Sequence, residues 1–256
     1  MEPINWYGTY SLTLREVKRF IRVYNQTLIT PAISALIFLA VFALAVGAKR
    51  HEINGIKFIN FMGYGLIIMS IVQNAFGNSS SSLIMSKIIG YISDILTPPL
   101  GSKEIIIAFT IGAVLRGLMV GIIVTISLIP FVEFNLYHPL LLAFYILASC
   151  TLLGKLGILS GMIANSFDQH SAITSYLITP LSFLSGTFYS VKDLPQILQQ
   201  INFFNPFFYM IDGFRSGFIG FAETDHQVGL IMITVIDILL VLFAWIMLKI
   251  GYKTKF

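Results

Sequence analysis

Charged residues are scarce in this chain of 256 residues, of which only 11% are Asp, Glu, Lys or Arg. A soluble domain carries about 25%. The hydrophobic share is 56% and the mean hydropathy is +0.84. This composition excludes a soluble globular enzyme, a disordered chain and a nucleic-acid-binding protein. The net charge of +4 comes from basic residues between apolar runs, which is the pattern of membrane-protein loops.

Cysteine is almost absent, and so are the motifs of catalysis. The single cysteine, Cys150, excludes a disulfide framework and a CxxC metal site. The sequence has no HExxH motif and no Gly-x-Ser-Gly with a histidine in a span. It has no Walker A loop, because the only Gly-Lys pair, Gly154-Lys155, is followed by leucine. We therefore expect a protein that is not an enzyme and that binds no metal or cofactor.

Long apolar runs are what the sequence has in abundance. A membrane-spanning helix needs about 20 mostly apolar residues, and such runs occur six times. They are residues 27–47, 58–77, 105–129, 138–164, 172–189 and 229–249. The sequence therefore predicts an all-α polytopic membrane protein, with one transmembrane domain over residues 1–256.

The basic residues predict the orientation. Six spans place both termini on one side, and that side carries more Lys and Arg than the other. The termini side has Arg15, Lys18, Arg19, Arg22, Lys87, Lys103, Lys249, Lys253 and Lys255, whereas the opposite side has Lys49, Arg50, Lys57, Lys192 and Arg215. This bias favours cytoplasmic termini.

Residues 11–25 have the pattern of an amphipathic interface helix. One face carries Leu14, Val17, Phe20, Ile21 and Tyr24, and the opposite face carries Arg15, Lys18, Arg19 and Arg22. Such a helix lies in the membrane surface with its basic side chains near anionic lipid headgroups. It is either a simple topology anchor or a lever that also touches a cytoplasmic partner.

The longest connection on the predicted cytoplasmic side covers residues 78–104. Its polar run at 78–82 is suited to ending one helix or capping the next. Residues 83–97 are then predicted to form a short helix, which ends at Pro98-Pro99. A helix this short cannot span, so it lies across the mouth of the bundle, either packed on its own protein or receiving force from a motor.

A broken, aromatic-rich segment precedes the last span. Asn205-Pro206, Asp212-Gly213 and Gly217 interrupt its apolar pieces, which predicts a re-entrant or interfacial hairpin over 191–215 on the outer side. Asn205 is expected to cap a helix that begins at Pro206. Asp212 and Arg215 are expected to form an exposed pair, since they are three residues apart.

Three charges fall inside predicted spans: Arg116, Lys155 and Asp237. At 1.5 Å per residue they lie about 15–18 Å deep, where an unpaired charge is costly. Matched depth allows a contact between Arg116 and Asp237. A proton relay is the rival interpretation, but it has only one acid.

Three local motifs resemble those of a known family, the permease subunits of ABC-2 type exporters. Residues 205–215, NPFFYMIDGFR, are similar to its Asn-Pro…Tyr…Gly-Phe-Arg stretch, and residues 179–186, TPLSFLSG, to its span-five motif. Residues 94–100, DILTPPL, are similar to its acidic–Leu–Leu–x–x–Pro coupling segment, apart from Ile95 and the double proline. Lys155 is not part of the family pattern.

The resemblance implies a transport permease of the bacterial inner membrane that works as two copies. Each copy would contact lipid and dock on a separate ATPase subunit, which would bind ATP and Mg²⁺, and no nucleic acid is involved. The ATPase-coupling residues would be Asp94, Ile95, Leu96, Thr97 and Pro98, and the outer gate would comprise Asn205, Pro206, Tyr209, Asp212 and Arg215. Substrates of the family include drugs, lipids and lipid-linked polysaccharides.

Two alternatives remain open from the residues alone. An ion- or proton-coupled secondary carrier acting by itself would need paired acids in its spans and broken helices in both halves. A membrane scaffold without transport activity is compatible with the composition.

Overall fold

The computed structural model describes residues 4–45, 47, 51–90 and 100–251. Within these residues, five helices are long and apolar enough to cross a membrane. They are Asn25–Ala45, Phe58–Ile89, Ser102–Leu128, Pro139–Ile163 and His226–Ile250. The predicted class, an all-α polytopic membrane protein, is confirmed.

The helices are numbered here in chain order. They are α1 Trp6–Arg22, α2 Thr30–Ala45, α3 Phe58–Ile89, α4 Ser102–Leu128, α5 Pro139–Ile163, α6 Phe167–Ile173, α7 Thr179–Leu184, α8 Gln196–Phe203, α9 Pro206–Ile219 and α10 His226–Ile250. Two short antiparallel strands, β1 Glu52–Ile53 and β2 Ile56–Lys57, pair Ile53 with Ile56. Asn54 and Gly55 between them have φ of 52° and 77°, as a two-residue hairpin turn requires.

The bundle has two ends. We call the end that holds α1, Gly90, Ile163 and Gly251 the terminal face, and the end that holds the β-hairpin and residues 186–225 the opposite face. Both tryptophans lie toward the terminal face: Trp6 is 65% exposed on α1, and Trp245 packs against Lys249 near the end of α10. Aromatic side chains of this kind are typical of a membrane–water interface.

Two π-helical turns interrupt the helices, and each lies just before a proline. The turn Asn25–Ile29 precedes Pro31, and the turn Thr174–Ile178 precedes Pro180. Proline has no backbone N–H to continue the regular ladder of hydrogen bonds, so the register changes there. Around Pro180 the helix runs from residue 167 to residue 184 as α6, a π turn and α7, so a sixth crossing stays a prediction.

The centre of the bundle is α3, and its length corrects the sequence analysis. We expected a break at 78–82 and a separate helix over 83–97, but α3 continues without a break from Phe58 to Ile89. The polar run is absorbed because Ser80 and Ser81 donate to Phe76 O and Asn78 O within the helix. Residues 91–99, which include the predicted coupling residues, lie outside the described part of the chain.

Close packing of α5 on α3 depends on small residues. A Cβ at Gly157 would lie 2.4 Å from Phe76 O, and a Cβ at Gly161 would lie 2.7 Å from the Cβ of Leu83. Glycines four residues apart lie on one face of a helix and let two backbones approach closely, which is how membrane helices commonly associate. The buried face of α3 is therefore held firmly in the bundle.

Candidate functional site

A buried polar network joins α1 to α3 at the terminal face. The Glu16 side chain is fully buried and accepts a hydrogen bond from Ser82 Oγ at 2.8 Å. Arg19 Nη2 lies 3.3 Å from Glu16 Oε2 and donates to Asn78 O at 2.7 Å and to Asn78 Oδ1 at 3.0 Å. Gly112 of α4 makes room for this network, since a Cβ there would lie 2.9 Å from the Cβ of Glu16. The network fixes the position of α1 against two spans.

The four basic residues of α1 divide into two pairs. Arg15 and Arg19 turn toward α3, where Arg15 Nη2 donates to Ser86 Oγ at 3.3 Å. Lys18 and Arg22 are exposed and line an open groove along α1. The helix also begins earlier than predicted, at Trp6, because Asn5 caps it by accepting from Gly8 N at 2.9 Å.

Lys87 fastens the terminal end of α3 to the end of α5. Its Nζ donates to the carbonyl oxygens of Gly161, Met162 and Ala164 at 3.3, 2.7 and 2.6 Å. These carbonyls lack partners in their own helix, and a cation there also suits the negative end of the helix dipole. The helix that leads into the predicted coupling segment is therefore bound to α5.

The segment predicted to form the outer hairpin, residues 191–215, is held in place through Asn205. Its Oδ1 accepts from Phe207 N at 3.1 Å, and Pro206 occupies the start of α9, so the predicted helix cap is confirmed. Its Nδ2 donates to Ser185 Oγ at 2.7 Å and to Leu181 O at 3.1 Å. The start of α9 is thereby held on the end of α7.

The expected exposed pair of Asp212 and Arg215 is wrong. Residues 207–217 are all buried, and the two charges have separate partners among the residues described. Asp212 accepts from Glu223 N and Thr224 N, both at 2.9 Å, and from Thr224 Oγ1 at 2.7 Å.

Arg215 is held on a different element. Its Nη2 donates to Gly186 O at 2.8 Å, and the guanidinium stacks on the Phe61 ring at 3.5 Å. A spacing of three residues favours pairing on an exposed helix. Helix α9 is enclosed by neighbouring segments, and Asp212 and Arg215 each bind a different one of them. Tyr209, the remaining predicted gate residue, donates from its hydroxyl to Phe203 O at 2.9 Å.

The charges inside the spans also pair differently from the expectation. Lys155 Nζ of α5 lies 2.6 Å from Asp237 Oδ2 of α10, so the predicted contact of Asp237 with Arg116 is wrong. Arg116 Nη2 instead donates to Asn74 Oδ1 of α3 at 2.9 Å. Equal depth was insufficient, because Arg116 faces α1 and α3 while Asp237 faces α5.

An exposed ion pair lies at the opposite face. Lys57 Nζ lies 2.7 Å from Glu133 Oε1, and both side chains are more than 60% exposed, at 63% and 61%. The hydrogen bond and the charge of each partner raise the pKa of Lys57 and lower the pKa of Glu133. This pair joins the β-hairpin to the loop after α4.

The comparisons with known proteins agree with this architecture. Residues 7–219 match the ABC-2 type transporter family. The chain belongs to that family. It is 32% identical over 251 residues to the inner membrane transport permease YadH of Escherichia coli K12, with 98% of each chain covered. The same figures hold for YadH of Escherichia coli O157:H7 and of Shigella flexneri.

Family membership confirms the resemblance that the sequence motifs indicated. The protein is an ABC-2 transport permease and not an enzyme. The matched range contains α1 from its second residue onward and the whole of α9, whereas Asp237 lies beyond it. In this ABC-2 permease the ion pair between α5 and α10 therefore joins the matched region to the last span.

Sequence reasoning missed several residues that position the site, notably Glu16, Asn74 and Lys87. Glu16 is the only acid of α1, and its spacing of three from Arg19 was an available signal. Asn74 lies in a predicted span that contains no charged residue. Nothing in the sequence indicated that its partner would lie on α4. Lys87 was counted only toward the orientation.

Proposed function

We propose that this ABC-2 permease is the membrane subunit of an ATP-driven exporter in the bacterial inner membrane. Two copies pair, and each docks on a separate ATPase subunit that binds ATP and Mg²⁺. The substrate belongs to the drug, lipid or lipid-linked glycan class and moves outward between the copies. Two observations support the proposal. One is membership of the family, and the other is the set of contacts that holds α1, α3 and α5 together near the end of α3, just before the predicted coupling segment begins.

Force applied at the coupling segment would reach three elements at once. Helix α3 has 32 residues, which corresponds to about 48 Å at 1.5 Å per residue. Lys87 ties its terminal end to α5, and Glu16 with Arg19 ties it to α1. Displacement of residues 94–98 by the ATPase would therefore move α1, α3 and α5 as one body.

The outer hairpin would respond as a gate through its attachment to the fifth predicted span. Asn205 binds the end of α7, and Arg215 binds Gly186 just after it. A shift of this segment would carry α9 with it, because each contact is buried. Tyr209, Asp212 and Pro206 fix the shape of the moving unit.

The secondary-carrier alternative has less support. It depends on Asp237 as an exchangeable acid, but Asp237 is held by Lys155 at 2.6 Å.

The experiment is co-expression and co-purification with a candidate ABC ATPase taken from a neighbouring reading frame. The two proteins are expected to purify as a complex, and Asp94→Ala, Leu96→Ala or Pro98→Ala should weaken it while membrane insertion is unchanged. Glu52→Ala, which removes an exposed acid at the opposite face, is the matched control and should behave as the native chain. Full ATPase binding and full substrate-stimulated hydrolysis in all three variants would refute the coupling role.

A further inference from the structure

One face of α3 is partly open, and in the middle of the helix that face is polar. Between Phe61 and Ile84 every residue of α3 is buried except five. These are Ser70, Gln73, Asn74, Gly77 and Ser81. Their spacing of three and four residues places them on one side of the helix, over about 16 Å. We call this set the polar stripe.

The polar stripe has the opposite character from a lipid-facing surface. On α10 the open residues inside the span are large and apolar apart from Thr234, whose hydroxyl donates to Leu230 O just as Ser70 of the polar stripe donates to Leu66 O. They include Ile231, Val235, Ile238, Leu239 and Leu242. The polar stripe contains no apolar side chain, so contact with acyl chains does not explain it.

Gln73 shows that the polar stripe requires a polar neighbour. It lies at the midpoint of α3 and is partly open, and its side-chain amide makes no hydrogen bond in the described part of the chain. An amide left unpaired in hydrocarbon is costly. Next to it, a Cβ at Gly77 would meet nothing within 4 Å. Space for a polar ligand or water therefore exists beside the middle of the helix.

Two arginines give the polar stripe a positive charge. Arg116 binds Asn74, and Arg19 Nη1 lies 3.3 Å from Ser81 Oγ. The charge of Glu16 is shared between Arg19 and Arg15, at 3.3 and 3.7 Å. Arg116 has only a neutral partner among the described residues, and its buried Nε has none.

A route leads to this charge from the membrane surface. The groove along α1 is lined by Arg15, Lys18, Arg19 and Arg22, and Arg19 also belongs to the network at the polar stripe. Basic groups at the surface of a membrane attract anionic headgroups. A headgroup that reaches the groove would meet Arg19, which also contacts the polar stripe at Ser81.

We propose that Arg19 and Arg116, with Gln73, Asn74 and Ser81, bind the phosphate-bearing headgroup of an amphiphile that moves along the polar stripe while its tails stay in the bilayer. This assigns an anionic lipid-like substrate and rests on the proposed export function. The polar stripe supplies neutral hydrogen-bonding groups, and the arginines supply charge that a phosphate can bridge.

The first test is the accessibility of the polar stripe. In a Cys150→Ala background, Gln73→Cys and Ser81→Cys should react with a charged, membrane-impermeant thiol reagent in permeabilised vesicles. Ile238→Cys, which is 53% exposed on the apolar face of α10, is the matched control and should stay unreactive. Lack of reaction at both stripe positions would overturn the proposal, and so would a disulfide between two copies at these positions.

The second test is binding by the purified permease in neutral detergent, without any ATPase. Phosphatidic acid should protect Gln73→Cys from the reagent, whereas diacylglycerol with the same tails should not. Arg116→Gln should weaken this protection about tenfold, as loss of a charge-assisted hydrogen bond implies. Arg116→Lys keeps the positive charge and should retain most of the protection, which separates loss of the charge from loss of the fold. Lys103→Gln, an exposed change at the start of the same helix, should have no effect.

Each result of the binding test has a meaning. Equal protection by diacylglycerol, or an unchanged affinity in Arg116→Gln, would overturn the anion site. Equal protection by inorganic phosphate at the same concentration would overturn the assignment to an amphiphile. Neither assay needs ATP, so these failures leave the export proposal standing, and failure of ATPase co-purification leaves the site standing.

Discussion

Replacing both members of the Lys155–Asp237 ion pair should be far less damaging than replacing either one. The side chains are 9% and 24% exposed, and Asp237 Oδ1 has no partner in the described part of the structure. Lys155→Met leaves a carboxylate without its only cation, and Asp237→Leu leaves a buried ammonium. Each single change should lower the free energy of unfolding by about 3 kcal/mol or more. The double variant, with two apolar side chains of similar volume, should return close to the native value.

The measurement is denaturant-induced unfolding of the purified protein in mixed micelles, analysed as a double-mutant cycle. The exposed pair Lys57–Glu133 has nearly the same N–O distance, 2.7 Å against 2.6 Å, and serves as the matched control. Its cycle, with Lys57→Met and Glu133→Leu, should show a coupling of about 0.5 kcal/mol or less, because water screens both charges. A coupling energy below about 0.5 kcal/mol for the buried pair would refute the reasoning.

Two further predictions concern α9. Gly213→Ala should sharply reduce the yield of folded protein measured by size-exclusion chromatography, because its Cβ would lie 2.1 Å from Tyr145 Cζ. Adding Tyr145→Leu should restore part of the yield, and the control Gly77→Ala, which has open space around it, should fold normally. Asn205→Ala should lower the free energy of unfolding by about 1–2 kcal/mol through loss of the helix cap. Asn205→Asp keeps the acceptor and loses only the donor to Ser185 Oγ, so it should be more stable than Asn205→Ala. A lower melting temperature for Asn205→Asp than for Asn205→Ala would contradict the importance of the cap.

The parts of the fold that the sequence predicts well are those governed by local chemistry. Apolar runs long enough to span became helices, since backbone hydrogen bonds must be satisfied within the membrane. The cap at Asn205 was predictable because it involves only adjacent residues. The continuity of α3 was not, because Asn78 and Ser82 have partners in Arg19 and Glu16, which are distant in the chain.

The charges inside and near the spans show the limit of reasoning from depth and spacing. Arg116, Lys155 and Asp237 were placed at similar depths, but the direction in which each helix turns decided the partners. Asp212 and Arg215 were expected on an exposed face, yet burial of α9 gave each a separate backbone partner. Rotation of a helix about its axis depends on packing with the rest of the bundle, which no single segment encodes.

The placement of the tryptophans confines the tryptophan fluorescence of the protein to one end of the bundle. Its 2 tryptophans, Trp6 and Trp245, both lie toward the terminal face, while the opposite face is rich in phenylalanine and tyrosine. Light absorbed at the red edge of the protein spectrum therefore excites only one end of the molecule. Emission will shift when something covers α1 or the end of α10, and it will be insensitive to changes around residues 191–215. The native chain is thus its own sensor for docking at one face, and an introduced fluorophore is needed to observe the other.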